Sequence, residues 1–273
     1  MDFQPTEEQQ MLREAVRTFA EKELRPIAFT HEGRGDYPPE IYREMAAMGL
    51  FGMTLPEEYE GGGRTPVDAI MVMEEIGRVD PVAAGIVFGA NFGPIRAVAV
   101  YGTDRQKRRY IPPVCRGEAS MSIAITEPTA GSAATELKTR AVQDGDHYVL
   151  NGAKSFISDG NRADAFMVYC RFGKGIEGIG SIIVDRDTPG FTVGRNEPNM
   201  SGSIQNQLFF ENAMLFLPPE RLSELAEKLS DEAISRKMQE AGLEPTFLHG
   251  HRVTDEASVA VVERVLNHEV NPQ

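Results

Sequence analysis

Two short stretches gather hydroxyl groups, a glycine and apolar side chains within a few residues of one another. The first runs Ile123-Ala124-Ile125-Thr126-Glu127-Pro128-Thr129-Ala130-Gly131-Ser132. Its threonine and serine can donate hydrogen bonds, and Gly131 lets backbone come close to a neighbour. The second, Phe156-Ile157-Ser158, sets a hydroxyl two residues past an aromatic ring. By itself the first stretch also reads as an ordinary strand end and turn. Other reactive residues are sparse. Cys115 and Cys170 have no histidine beside them in sequence, so both are expected to be buried small hydrophobes. His249, His251 and His268 are too loosely spaced, with no cysteine nearby, to predict a metal site.

The elements that must position these residues follow from composition and period. The chain has 273 residues, 41% of them hydrophobic, and a formal net charge of −13. An acidic field of that size repels phosphate backbones and argues against nucleic-acid binding. No apolar run approaches the ~18 residues that would span a bilayer, and the acidic start resembles no secretory signal, so a cytoplasmic protein with no membrane contact is expected. Residues 1–118 read as a helical domain. Thr6-Glu7-Glu8-Gln9 is a capping-box pattern, and Leu12, Val16, Phe19 and Leu24 follow at helical spacing. Further helices are expected from Pro38-Pro39, over Val67 to Ile76, over 81–101 and over 103–110, the last stopped by Pro112-Pro113. Residues 119–222 change to a period near two, with Asp144-Gly145 and Asn151-Gly152 as hairpin turns. Strands are expected at 139–142, 147–150, 165–170, 181–185, 191–193 and 207–211. They predict an antiparallel β-barrel or sandwich and disfavour a Rossmann fold. Residues 223–273 read as a helical tail with a short hairpin. The fold class is therefore α+β and multidomain.

Residues Ser122 to Ser158 closely resemble the acyl-CoA dehydrogenase family. ITEPTAGS and LNGAKSFIS fall in that family's order and spacing, and the likeness runs from the TEEQQMLREAVRTFAEKELRP helix to about residue 222. The resemblance implies an FAD cofactor bound by Ile123, Ala124, Ile125, Thr126, Gly131, Ser132, Phe156, Ile157 and Ser158. Thr126 would meet the pyrimidine edge and Ser158 the N5 side, while Ser132 would sit near the pyrophosphate or the substrate thioester. It also implies an oxidoreductase of fatty acid metabolism. In the family a carboxylate removes the α-proton of an acyl-CoA thioester while the β-hydride passes to flavin. Phe156 stands where the family commonly has Trp, Ile123 where it has an aromatic and Thr129 where it has glycine, which predicts weaker flavin binding.

After residue 222 the resemblance changes. The family's C-terminal helical domain carries the glutamate base, contacts to FAD and the oligomer core, and no later segment here matches it. Glu224, Glu227, Glu232 and Glu240 fall on a charged helix face. No catalytic residue is therefore assigned. Residues 233–271 are instead similar to an internal piece of acetylglutamate kinase, whose carboxylate-binding arginine would be Arg252. The glycine-rich phosphate loop of that family is absent, which argues against kinase activity. Two readings follow: an acyl-CoA dehydrogenase-like flavoenzyme of impaired turnover, or a non-catalytic flavin- and acyl-CoA-binding or assembly module. The partners implied are an acyl-CoA thioester and either further copies of the chain or a partner chain supplying the missing domain.

Overall fold

The structure, a computed structural model, describes residues 4–28, 37–145, 147–197 and 203–216. Apart from Gly145, His147 and Phe216, these belong to one compact unit. The expected tail elements, with Glu224, Glu227, Glu232, Glu240, His249, His251, Arg252 and His268, lie outside the described residues.

Six α-helices are described before the first strand: α1 (Glu7–Phe19), α2 (Pro39–Ala47), α3 (Pro66–Gly77), α4 (Pro81–Phe92), α5 (Pro94–Tyr101) and α6 (Asp104–Cys115). Their starts are written in sequence. Thr6/Gln9, Thr65/Asp68 and Thr103/Gln106 form reciprocal capping boxes on α1, α3 and α6. Asp80 caps α4 by accepting from the amides of Val82 and Ala83, and proline opens α2, α3, α4 and α5. Val16, Phe19, Leu24, Met45, Val72, Ile76 and Val87 meet in one helical core. Buried Glu75 of α3 takes Arg13 and Arg17 of α1 at 2.9 Å each.

Two helical expectations change. The segment Pro81–Tyr101, with a mean hydropathy of 1.4, is in fact long and apolar enough to cross a membrane by length and composition alone. It breaks into α4 and α5 at Gly93-Pro94, and Ala83, Val87, Ile95 and Val98 pack inside the protein. Pro112-Pro113 does not stop α6, which continues to Cys115. The prolines remove two amide donors, but Ile111, Val114 and Cys115 gain a buried face against Leu55, Met121 and Met167. Burial outweighs the two missing hydrogen bonds.

Seven strands follow: β1 (Met121–Ala124), β2 (Arg140–Asp144), β3 (His147–Ser158), β4 (Ala165–Arg171), β5 (Ile179–Asp185), β6 (Phe191–Glu197) and β7 (Gln205–Phe216). They form a single sheet of order β1-β4-β2-β3-β7-β6, with β5 on β4. The helical domain followed by a curled β-domain is as expected, but the sheet is mixed. β4 pairs antiparallel with β5 and parallel with β1 and β2. β1 covers Ala165–Val168 and β2 reaches only Arg171, so the two lie end to end along one edge of β4. The segment between them, 125–139, must therefore leave the sheet and return. That excursion contains the first chemical motif.

Asn151-Gly152 is not a turn: it lies inside β3. Gly152 has φ +148°, and a Cβ there would stand 2.5 Å from the Thr139 hydroxyl. The glycine serves close approach of two segments rather than chain reversal. Phe166, Phe191 and Phe210 stack through the sheet's interior with centroids 4.9 and 5.3 Å apart.

Candidate functional site

The structure brings the two motifs side by side. The Ser155 amide donates to the Thr126 carbonyl at 2.9 Å, and the Ser122 hydroxyl donates to the Ser158 carbonyl at 2.6 Å. Segment 155–158 thus runs antiparallel to 122–126. Ala124 and Ile157 point into the sheet core, so only their backbone can face a ligand. Ile123, Phe156 and Ser158 are exposed, Phe156 to 58% and Ile123 to 41%. Thr126 is half-buried, and the hydroxyls of Thr126, Ser132 and Ser158 make no hydrogen bond among the described residues. Free donors and exposed apolar carbon therefore share one region.

Phe156 has φ +57°, a left-handed conformation that costs an aromatic residue energy. Lys154 and Ser155 just before it are both buried, so strict alternation breaks and the strand changes phase. Without that shift Phe156 and Ser158 would alternate in step with the buried Lys154. The kink turns the ring outward.

Sequence reasoning missed the residues that hold the first motif. Lys154 is fully buried, and its ammonium donates to Glu127 Oε1 and to the Ile125 carbonyl, each at 2.9 Å. Glu127 also accepts the amides of Lys138 at 2.6 Å and Thr139 at 2.9 Å. Its own backbone closes a four-residue turn with Ala130 through paired hydrogen bonds of 3.0 and 3.2 Å. Arg171 then ties the far end, donating to the carbonyls of Leu137 at 2.7 Å, Thr135 and Gly175. Burial pushes the Glu127 carboxyl up, but the bonds from Lys154, Thr139 and the Lys138 amide outweigh it and hold it below the usual carboxylate range. Burial lowers the Lys154 ammonium, with Glu127 offsetting part of that. A lysine at a strand position was the available signal, but its partner is 27 residues away in sequence.

The middle of the excursion is open. A Cβ on Gly131 would meet nothing within 4 Å among the described residues, so their packing does not demand glycine there. Cys115 and Cys170 are free and buried, as expected, and burial pushes their thiols up to about 11 and about 12. No group of three or more His, Cys, Asp or Glu able to hold a metal occurs among the described residues. A cavity of about 230 Å³ lies one residue past Ser158, where Asp159 and Arg162 meet Tyr42, Phe51, Ile86 and Met121. Arg162 is paired with Asp159 at 3.1 Å and stacks over the Tyr42 ring.

The acyl-CoA dehydrogenase N-terminal domain matches residues 6–118, and the acyl-CoA dehydrogenase middle domain matches 122–213. The chain belongs to the acyl-CoA dehydrogenase family. It is 38% identical over 218 residues to an acryloyl-CoA reductase (NADH) of Anaerotignum propionicum, covering 78% of this chain and 55% of that protein. An acyl-CoA dehydrogenase of Bacillus subtilis is 36% identical over 213 residues, covering 76% of this chain and 56% of the relative. The chain thus spans about half the length of these relatives. The crystal structure of an acyl-CoA dehydrogenase from Geobacillus kaustophilus superposes with a TM-score of 0.73 at 28% identity, covering 98% of this chain and 77% of that one. Enzymes of this family are FAD-dependent oxidoreductases.

Proposed function

We propose that this chain binds FAD and an acyl-CoA thioester and contributes the flavin side of an α,β-dehydrogenation site, in a step of fatty acid metabolism. The observation that carries this reading is the meeting of the two motifs. Thr126 and Ser158 hydroxyls that have no partner among the described residues stand next to exposed Ile123 and Phe156, and no described residue crowds Gly131. These residues fit the ring system: donors for its polar edge, carbon for its face and an uncrowded loop for its phosphates. Bound FAD would take up the β-hydride as the α,β double bond forms. The chain's own part is to seat the ring, exclude water with Ile123 and Phe156, and aim the Thr126 and Ser158 donors.

The α-proton needs a carboxylate held opposite that face. Glu127 cannot supply it, because Lys154, Lys138 and Thr139 occupy both its oxygens. We place the base outside the described residues. In this reading turnover by residues 1–273 alone is slow or absent, and a segment beyond the described residues, a partner chain or a further copy completes the site. Exposed Val67 and Ile70 of α3 and Phe88 of α4 suit such a contact. A reducing compartment such as the cytoplasm suits the two free thiols.

The test is the visible spectrum of the purified chain, followed by reduction of an artificial electron acceptor with short, medium and branched acyl-CoAs. Bound flavin with little turnover is the expected result. Family-like turnover abolished by changing one glutamate beyond residue 222 to glutamine refutes the external base. A chain that takes up neither FAD nor acyl-CoA refutes the flavin reading, and the assembly-module reading then stands.

A further inference from the structure

The Ile125 carbonyl is drawn inward to the buried Lys154 ammonium at 2.9 Å. Chain geometry then fixes what lies on the other side. No cis peptide occurs among the described bonds, and in a planar trans peptide the C=O and the following N–H point in opposite directions. With its oxygen pulled toward Lys154, the Ile125–Thr126 peptide must send the Thr126 N–H away from the core. The next carbonyl, that of Thr126, is held by the Ser155 amide at 2.9 Å. Both peptide planes flanking Thr126 are thereby pinned, while the Thr126 amide and hydroxyl carry no partner among the described residues.

We propose that Lys154 is the positioning residue of the flavin edge, orienting and polarising the Thr126 amide through the Ile125 carbonyl, with Glu127 as the counter-charge that keeps the ammonium in place. This rests on the flavin reading given above. A cation on a carbonyl oxygen draws electron density from the amide and strengthens its N–H as a donor. Such a donor favours whichever state of its acceptor carries more negative charge. Reduced flavin gains charge on its pyrimidine edge, so Lys154 favours the reduced form over the oxidised one. A merely structural ion pair would change both affinities alike.

The test uses the full chain as wild type, Lys154→Arg, Lys154→Met and the double variant Lys154→Met/Glu127→Gln. The double variant removes both charges, so no unpaired ion is buried if the single change fails to fold. Affinities for oxidised and reduced FAD are measured separately, and Ser155 amide protection is followed by hydrogen exchange without flavin. The double variant is expected to lose Ser155 protection and to bind oxidised FAD about tenfold more weakly. Its reduced-FAD affinity should fall by a further factor of about ten, equivalent to a potential lowered by about 30 mV for a two-electron couple. Lys154→Arg should restore part of the difference. Equal losses for both flavin forms, or affinities within about twofold of wild type, overturn the role of Lys154 while leaving the flavin reading intact. A wild-type chain that takes up no FAD, with Ser155 protection still dependent on Lys154, overturns the flavin reading and this role with it.

Discussion

Replacing Phe156 by glycine and by alanine separates the strain at the β3 kink from the packing of the ring. A phenylalanine encloses roughly 150–250 Å² when fully buried. Phe156 leaves 58% of itself exposed. Only about 60–100 Å² is then removed from water, worth roughly 1.5–2.5 kcal/mol. Both variants lose that amount. They differ in the backbone. Alanine at φ +57° keeps the left-handed cost of about 1–2 kcal/mol, and glycine sheds it. Glycine ordinarily destabilises a strand position by about 0.5–1 kcal/mol relative to alanine. The net expectation is a reversed sign, with Phe156→Gly more stable than Phe156→Ala by about 0.5–1 kcal/mol. Urea unfolding followed by circular dichroism reads the difference directly. FAD titration supplies the second half of the argument: losing the aromatic wall should weaken binding by roughly threefold to tenfold in both variants. If the alanine variant is at least as stable as the glycine variant, the kink is not strained and the reasoning for the outward-turned ring fails.

Gly152→Ala must place a Cβ 2.7 Å from the Thr139 Cα at φ +148°, and should cost about 2–3 kcal/mol in the same unfolding measurement. Thr126→Val keeps the shape but removes the free hydroxyl, and is expected to weaken FAD binding by about twofold to tenfold with unfolding unchanged, as read by titration. For Glu75, hydrogen bonds from Arg17 and Arg13 hold the carboxyl below its usual range despite burial. A depressed carboxylate adds stability above the unfolded-state pKa and loses it as pH falls through the folded value. The thermal midpoint should therefore drop more between pH 7 and pH 3 in wild type than in Glu75→Gln, and equal drops would remove Glu75 as the acid-sensitive group.

Much of the fold was legible because its signals are local. A capping box such as Thr6/Gln9 needs only four consecutive residues, and the start of α1 is readable for that reason. The misreadings share a different cause: each depends on a contact distant in sequence. Pro112-Pro113 looked like a stop because the apolar partners that outweigh the lost hydrogen bonds, Leu55 and Met167, lie far along the chain. Asn151-Gly152 looked like a turn because its glycine answers to Thr139 across the sheet. Parallel pairing of β1 with β4 was hidden, since period alone gives a strand's face and never its neighbour. In the site, hydroxyls and aromatic carbon were readable as types and spacing. The Lys154–Glu127 pair was not, because a lysine in a strand reads as solvated surface until its buried partner is known.

The way the site is held separates binding from turnover. The contacts described for the face that would meet a flavin come from 122–139 and 154–158, with Arg171 as an anchor, all within the β-domain. None of these contacts uses a residue of α1 to α6, so the face can persist whatever covers the helical domain. The proton-abstracting carboxylate follows the opposite logic. It must approach from across the ring, and the β-domain spends Glu127, the acid within the first motif, on holding the loop. A protein built this way can keep its flavin face in order and still depend on another segment for catalysis. The separation predicts that variants of Lys154 and Glu127 change the preference for reduced over oxidised flavin, whereas adding a chain that carries the base raises turnover with Ser155 amide protection unchanged.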